Sequence, residues 1–310
     1  MKRFTNTDQS RKMGRIKWFT WIPILLLVAA CQPAEEEVMD TYPNADLLVE
    51  AEWLLENLGS ENLVVVDMRE ERIDDFIPGA VDIGGGEALV DGDHDIESFL
   101  LGPDQFAALM SEAGINNRTD VVIYDDGNGL WAARLFFALE LYGHDNVRIL
   151  NGGLAAWERA GGALAEAAAE PVPAVYTIEA QREIACDLND ILAAIEDENT
   201  MIVDTRSYEE YSGEDVRTER GGHIPGAVHL EWVNFVQDEE VPYFRPVEEI
   251  RSLLADHGID REKRILTHCQ SNVRGSHVYF ILRLMGYDDI QAYEGSWYEY
   301  GNLEDVPIEM

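Results

Sequence analysis

Beyond its first thirty residues the chain has almost no lysine; Lys263 is the single one. The whole sequence of 310 residues holds 23 basic against 60 acidic side chains, a formal charge of −37. Residues 1–30 take six of the basic residues and one acidic one (Asp8), so the remainder carries 17 against 59, a formal charge of −42. Such a surface has no basic face to lay along phosphates, which excludes nucleic acid as a partner. It suits high salt, where self-repulsion is screened over short distances, and an acidic protein of an ordinary periplasm has the same composition. Clustered histidine and cysteine are missing too, so no metal is expected.

Long apolar runs are also lacking. The longest uncharged stretch near the start, Trp18 to Ala30, is too short to cross a bilayer comfortably. It follows a basic leader (Lys2, Arg3, Arg11, Lys12, Arg15, Lys17) and fits a secretory apolar region ending in small residues. Its end, Leu27-Val28-Ala29-Ala30-Cys31, resembles a bacterial lipobox. Residues 1–30 are therefore expected to be a lipoprotein-type signal peptide, with Cys31 lipidated as the new amino terminus. An ordinary signal peptide cleaved nearby is the alternative. Each buried lipid methylene contributes ~0.8 kcal/mol, so a multiply acylated cysteine anchors firmly. With Gln32 after the cysteine, the resemblance implies the periplasmic face of an outer membrane. Residues 31–44, which include Glu35-Glu36-Glu37, read as an acidic tether.

In place of those features the sequence has an internal repeat. Leu63-Val64-Val65-Val66-Asp67-Met68-Arg69 runs from a buried strand into a charged turn, and Met201-Ile202-Val203-Asp204-Thr205-Arg206 repeats it. Phe76-Ile77-Pro78-Gly79-Ala80 is matched by His223-Ile224-Pro225-Gly226-Ala227. At an offset of 143 residues, the strand before Asp125 is matched by Arg264 to His268, and Asn151-Gly152-Gly153 by Glu294-Gly295-Ser296. Apolar spacing predicts helices over 46–58, 103–113, 130–141, 187–195, 246–257 and from about Gly275 to Met285. Strands alternating with helices predict an α/β fold with a parallel sheet in each half. The expected division is 45–162 for the first domain, 163–176 for a linker rich in alanine and proline, and 177–310 for the second.

The repeat lets the chain act as its own control. Asp-x-Arg occurs in both halves and reads as a structural ion pair; Ile-Pro-Gly-Ala occurs in both and reads as a turn. At the offset of 143, Asp126 stands opposite Cys269, and Leu130-Trp131 opposite Val273-Arg274. Only the second half then has a thiol and a cation in this loop. Cys269 lies between a buried strand and a helix, where open α/β sheets place their ligands. Unpaired amides and the positive end of the helix dipole converge there, which stabilises an anion. Of the other two cysteines, Cys31 goes to lipid and Cys186 reads as a packed, inert thiol. A Cys186–Cys269 disulfide stays open in an oxidising compartment.

The two halves, the Ile-Pro-Gly-Ala turns, the loop Cys269-Gln270-Ser271-Asn272-Val273-Arg274 and the closing Tyr293-Glu294-Gly295-Ser296-Trp297-Tyr298-Glu299-Tyr300 together resemble the tandem rhodanese family. The resemblance covers roughly residues 45–310. That family holds thiosulfate and 3-mercaptopyruvate sulfurtransferases. The resemblance implies two rhodanese-like domains, each a parallel sheet flanked by helices on both faces, the first inactive and packed against the catalytic second. It also implies that Cys269 takes the outer sulfur of a small-molecule donor, carries it as a persulfide, and yields it to cyanide or a thiol. The acceptor thiol could belong to a protein. No metal or organic cofactor is needed. Amides of Gln270, Ser271, Asn272, Val273 and Arg274 would hold the persulfide and the leaving oxyanion, aided by the Ser271 hydroxyl and the Arg274 guanidinium.

Two rivals are weighed against this. Cysteine phosphatases have five residues between cysteine and arginine, surrounding a phosphoryl group; here four intervene, which suits a single sulfur atom. A tethered pair of rhodanese domains could instead merely hold sulfane sulfur or a partner. For the donor, Ser271 and Val273 match the mercaptopyruvate branch, whereas Arg274 and the Gly295-Ser296-Trp297 ending match bacterial thiosulfate enzymes. Glu210 stands where eukaryotic members carry a donor-holding arginine; Arg217 or Arg220 could replace it. Against a charge of −42, a local basic funnel of Arg206, Arg274 and Arg217 or Arg220 is expected, and activity should rise with moderate salt. Trp131, His268 and His277 read as packing residues.

Overall fold

The computed structural model describes residues 41–70, 75–178, 180–237 and 239–310. The expected signal peptide, Cys31 and most of the tether lie outside them. The first half runs β1 (Leu48–Val49), α1 (Ala51–Asn57), β2 (Leu63–Asp67), β3 (Val81–Asp82), α2 (Pro103–Glu112), β4 (Asp120–Tyr124), α3 (Leu130–Leu141), β5 (Val147–Leu150) and α4 (Gly153–Arg159). The second runs β6 (Ala185–Cys186), α5 (Leu188–Ala194), β7 (Thr200–Asp204), α6 (Tyr208–Tyr211), β8 (Val228–His229), α7 (Val247–Asp256), β9 (Arg264–His268), α8 (Val273–Leu284), β10 (Ile290–Tyr293) and α9 (Ser296–Tyr300). The sheets are ordered β1-β5-β4-β2-β3 and β6-β10-β9-β7-β8, parallel throughout.

Central strands of a parallel sheet are buried on both faces, which is why they read as unbroken apolar runs. Alternate residues of β2 and β4 part accordingly. Val66, Val121 and Ile123 pack with Phe106 and Phe136, while Val65 and Val122 pack with Leu54 and Trp157 on the opposite face. In the second sheet, Val203 and Ile265 join the first group and Ile202 and Leu266 meet Ile191 and Trp297. Helices therefore cover both faces of each sheet. The predicted helix over 46–58 is corrected at its start: Leu48 and Val49 pair with Ile149 and Leu150 as an edge strand, and the helix begins at Ala51.

One apolar cluster spans both halves, seamed by α3 against α8. Phe136 meets Phe280 at 4.9 Å and Phe137 meets Tyr279 at 5.2 Å between ring centres. Adding 143 to the α3 member of either pair gives the α8 member of the other, the signature of a self-complementary two-fold contact. Buried Glu140 on α3 accepts from Arg283 Nη2 on α8 at 2.8 Å. The repeated Ile-Pro-Gly-Ala is a type II turn in each half: Ala80 N donates to Ile77 O and Ala227 N to Ile224 O, with Gly79 at φ +82° and Gly226 at φ +74°. Residues 41–44 of the tether dock on the second half, Asn44 donating to the carbonyls of Leu284 and Arg283. The linker pairs with the first half through Phe76 and Ala165.

Candidate active site

β9 ends at His268 and α8 begins at Val273, so Cys269 occupies the rim of the second sheet. The Glu294–Trp297 segment clamps it from below. Cys269 N donates to Ser296 Oγ at 3.3 Å, and Trp297 N donates to Cys269 O at 2.9 Å. Ser296 is itself held in a left-handed conformation, φ +49°. Asn272, buried and at φ +56°, turns the loop into α8. Its Nδ2 donates to Glu294 Oε2 at 2.8 Å, and its carbonyl accepts from Ser276 Oγ at 2.6 Å. A β-carbon at Gly275 would lie 2.4 Å from Asn272 Oδ1, so any larger residue there has to push the Asn272 amide off Glu294.

Residue 269 is 1% exposed, so the thiol lies at the floor of the loop rather than at the surface. Its surroundings are polar. Among the described residues, no protein acceptor takes the backbone N–H of Gln270, Ser271, Asn272, Val273 or Arg274. Unshared donors at a helix start favour a nearby negative charge. The corresponding loop of the first half is occupied from within. Asp125, fully buried, accepts from the N–H of Gly127, Gly129, Trp131 and Ala132 at 2.9, 3.1, 3.1 and 3.2 Å. Burial pushes its carboxyl up, and these four donors oppose the shift. The alignment of Asp126 with Cys269 is corrected here. β2 pairs Asp67 with Tyr124 as β7 pairs Asp204 with His268, so Asp125 matches Cys269, and the first loop is one residue longer.

Arg274 stands over the thiol. Its guanidinium is in electrostatic reach of the Cys269 sulfur and donates to Glu210 at 2.6 and 2.9 Å. Burial alone would raise the Glu210 carboxyl, yet Arg274, the Ser207 amide and Arg217 hold it below the usual range. Arg217 lies 3.4 Å from Glu210, is half exposed and also pairs with Asp215. Gln270, Ser271 and Val273 are partly exposed, and Gln270 O accepts from Tyr298 N at 2.9 Å.

The expected basic funnel is smaller than the sequence reading had it. Arg206 is buried under the Trp297 ring and donates to Asp204 and Gly222 O, repeating the Arg69–Asp67 pair of the first half. Arg220 donates to the carbonyls of Val306 and Tyr300, tying down the carboxyl-terminal segment. Both donate to acceptors of the fold; Arg274 and Arg217 are paired as well, on Glu210, with Arg274 next to Cys269. Burial lowers the pKa of His268 and of His277, so both are neutral packing residues. Trp131 packs against Gly86. Cys186 and Cys269 are free thiols, and burial pushes Cys186 up, which makes it inert. Glu294 and Arg134 escaped the sequence reading: nothing local marks a pair 160 residues apart.

A cysteine between the rim of a parallel sheet and the next helix, on a duplicated fold, defines the class. The rhodanese-like domain family matches residues 50–160 and again 187–303. The thiosulfate sulfurtransferase of Azotobacter vinelandii is 31% identical over 274 residues, 88% of this chain and 100% of that protein. A sulfur carrier protein of Thermus thermophilus is 33% identical over 283 residues, covering 86% and 98%. The crystal structure of the Escherichia coli 3-mercaptopyruvate sulfotransferase superposes with a TM-score of 0.73 at 29% identity, covering 81% and 98%. The chain belongs to the rhodanese family. Within it, the chain is a sulfurtransferase that works through a cysteine persulfide.

Proposed function

We propose that the chain moves the sulfane sulfur of thiosulfate to a thiophilic acceptor, cyanide or a thiol, by way of Cys269. The observation that carries this reading is the set of unshared N–H groups from Gln270 to Arg274, beside a sulfur whose counterpart in the other half is a carboxylate. In the first step the thiolate attacks the outer sulfur of thiosulfate. The S–S bond of the donor breaks, its electron pair leaves with sulfite, and Cys269 carries the persulfide anion. That anion is one atom longer than the thiolate and accepts from the ring of amides. In the second step the acceptor attacks the terminal sulfur, giving thiocyanate or a new persulfide, and the thiolate returns.

Arg274 and the Azotobacter relative support thiosulfate as donor. Glu210, beside Arg274 and Arg217, disfavours a second carboxylate, which argues against mercaptopyruvate. The test is to compare steady-state rates for both donors with cyanide. Thiosulfate should give the higher kcat/KM, and Cys269→Ala should abolish both rates; a tenfold preference for mercaptopyruvate would overturn the donor assignment. The likeness to a sulfur carrier supports a protein thiol as one acceptor. Lipidation of Cys31, with attachment to the periplasmic face of an outer membrane, rests on the sequence alone. Incorporation of labelled palmitate, lost in Cys31→Ser, is its test.

A further inference from the structure

The half without a thiol sends one charged side chain into the loop of the half that has it. Arg134 on α3 is buried. Its Nη1 donates to Glu294 Oε2 at 3.1 Å and to Ser276 Oγ at 3.3 Å, while Nη2 donates to Glu294 Oε1 and to Ser98 O. Glu294 also accepts from Leu100 N at 3.0 Å and from Asn272 Nδ2 at 2.8 Å. Ser276 in turn donates to the Asn272 carbonyl. Arg134 thus touches both groups that pin Asn272, one at its side chain and one at its backbone. Asn272 is the left-handed residue that bends the Cys269 loop into α8.

The repeat supplies the contrast. At the offset of 143, Asn151 stands for Glu294 and His277 for Arg134. Asn151 keeps one half of the arrangement, since its Oδ1 accepts from Phe244 N at 3.0 Å as Glu294 accepts from Leu100 N. His277 does not reach it and bonds Asn128 O instead. A charged clamp exists on the side with the thiol and is missing from the side with Asp125. An architectural glue would be expected on both.

We propose that Arg134 is a positioning residue for the Cys269 loop: through Glu294 and Ser276 it holds Asn272 in its left-handed turn and keeps the amides of Gln270 to Arg274 aimed at the sulfur. The first half then has a task in the reaction although it carries no reacting atom. Breaking one member of a buried pair leaves an uncompensated charge, so a stability loss is expected as well and must be separated from the positioning effect.

The experiment uses the full chain with Arg134→Met, Glu294→Gln, the double variant, and Arg283→Met as a control. Arg283 pairs with Glu140 across the same helix seam but near its far end. Three quantities are read: the melting temperature, the pH dependence of iodoacetamide alkylation mapped to Cys269, and kcat against KM with thiosulfate and cyanide. Arg134→Met should move the alkylation midpoint up by about one pH unit, and Glu294→Gln in the same direction. It should lower kcat at least about tenfold with KM within about threefold, the mark of a lost transition-state contact. The double variant should be no worse than the poorer single one, because the two act as a unit. Arg283→Met should lose melting temperature without either change. If Arg134→Met and Arg283→Met lose similar melting temperatures and both alkylate as the parent does, the proposal falls. Should Arg134→Met fail to fold, Glu294→Gln decides by the same readings. Only the kcat reading rests on the sulfurtransferase activity; alkylation needs no sulfur donor, so a wrong donor assignment and a wrong role for Arg134 give different results.

Discussion

The β4–α3 and β9–α8 loops are the same device in two states. Each turns from the rim of a parallel sheet into a twelve-residue helix. In the first, the Asp125 carboxylate follows the strand and takes four donors. In the second, a thiol follows the strand, and among the described residues the N–H groups from Gln270 to Arg274 have no protein acceptor. The fold makes an anion site twice; the residue at the strand end decides whether the site closes on itself or accepts chemistry.

The largest effect follows from making the second loop resemble the first. Cys269→Asp should abolish sulfur transfer as completely as Cys269→Ala. Its carboxylate should also engage the open amides, so Cys269→Asp should melt above Cys269→Ala, by an amount equivalent to about 1.5–3 kcal/mol for hydrogen bonds to a charged group. Equal melting temperatures would show that the two loops are not the same device. Next in size is Arg274→Gln, which removes the cation the first loop lacks. We expect about a hundredfold loss in kcat/KM for thiosulfate, the equivalent of ~2.7 kcal/mol, measured as initial rates.

Acid should then separate the halves by stability. Burial lowers His144 in the first half and His268 and His277 in the second, His277 to about 4. A histidine depressed in the folded state stays neutral while the unfolded chain takes up a proton below about pH 6.5. Stability is therefore present above that pH and lost as pH falls toward 4. His277 alone contributes a loss on the order of 3 kcal/mol. Asp125, whose carboxyl is pushed up, works in the opposite sense. Guanidinium midpoints at pH 7.5 and pH 5 check this, and His277→Gln should flatten the fall. The smallest effect on activity belongs to Asp125→Ala. Four buried N–H groups lose their acceptor, at about 2–4 kcal/mol of stability, while kcat should stay within about threefold. A larger drop in kcat would mean that the first loop acts on the second directly.

Much of this was legible in the sequence because it is local. Ile-Pro-Gly-Ala encodes its own turn, Asp-x-Arg its own ion pair, and the run Arg264 to His268 its own buried strand. Cys269 stood out because one half could be subtracted from the other. Register was less legible: a loop longer by one residue shifts the comparison from Asp126 to Asp125, and no spacing downstream reveals it. The fates of the arginines were illegible for another reason. Arg206, Arg217 and Arg220 have the same charge and similar neighbours in sequence, but Arg220 finds carbonyls 80 and more residues away. Edge strands such as Leu48–Val49 are too short to carry a period and exist because β5 offers them a partner.

The way the chain enters the fold also has geometrical meaning. Asn44 is fastened to the carbonyl end of α8, by Leu284 and Arg283, whereas Cys269 lies just ahead of that helix's first turn. Twelve helical residues span about 18 Å. Whatever holds the upstream segment, Cys269 is set off from the entry point by the length of a rigid rod.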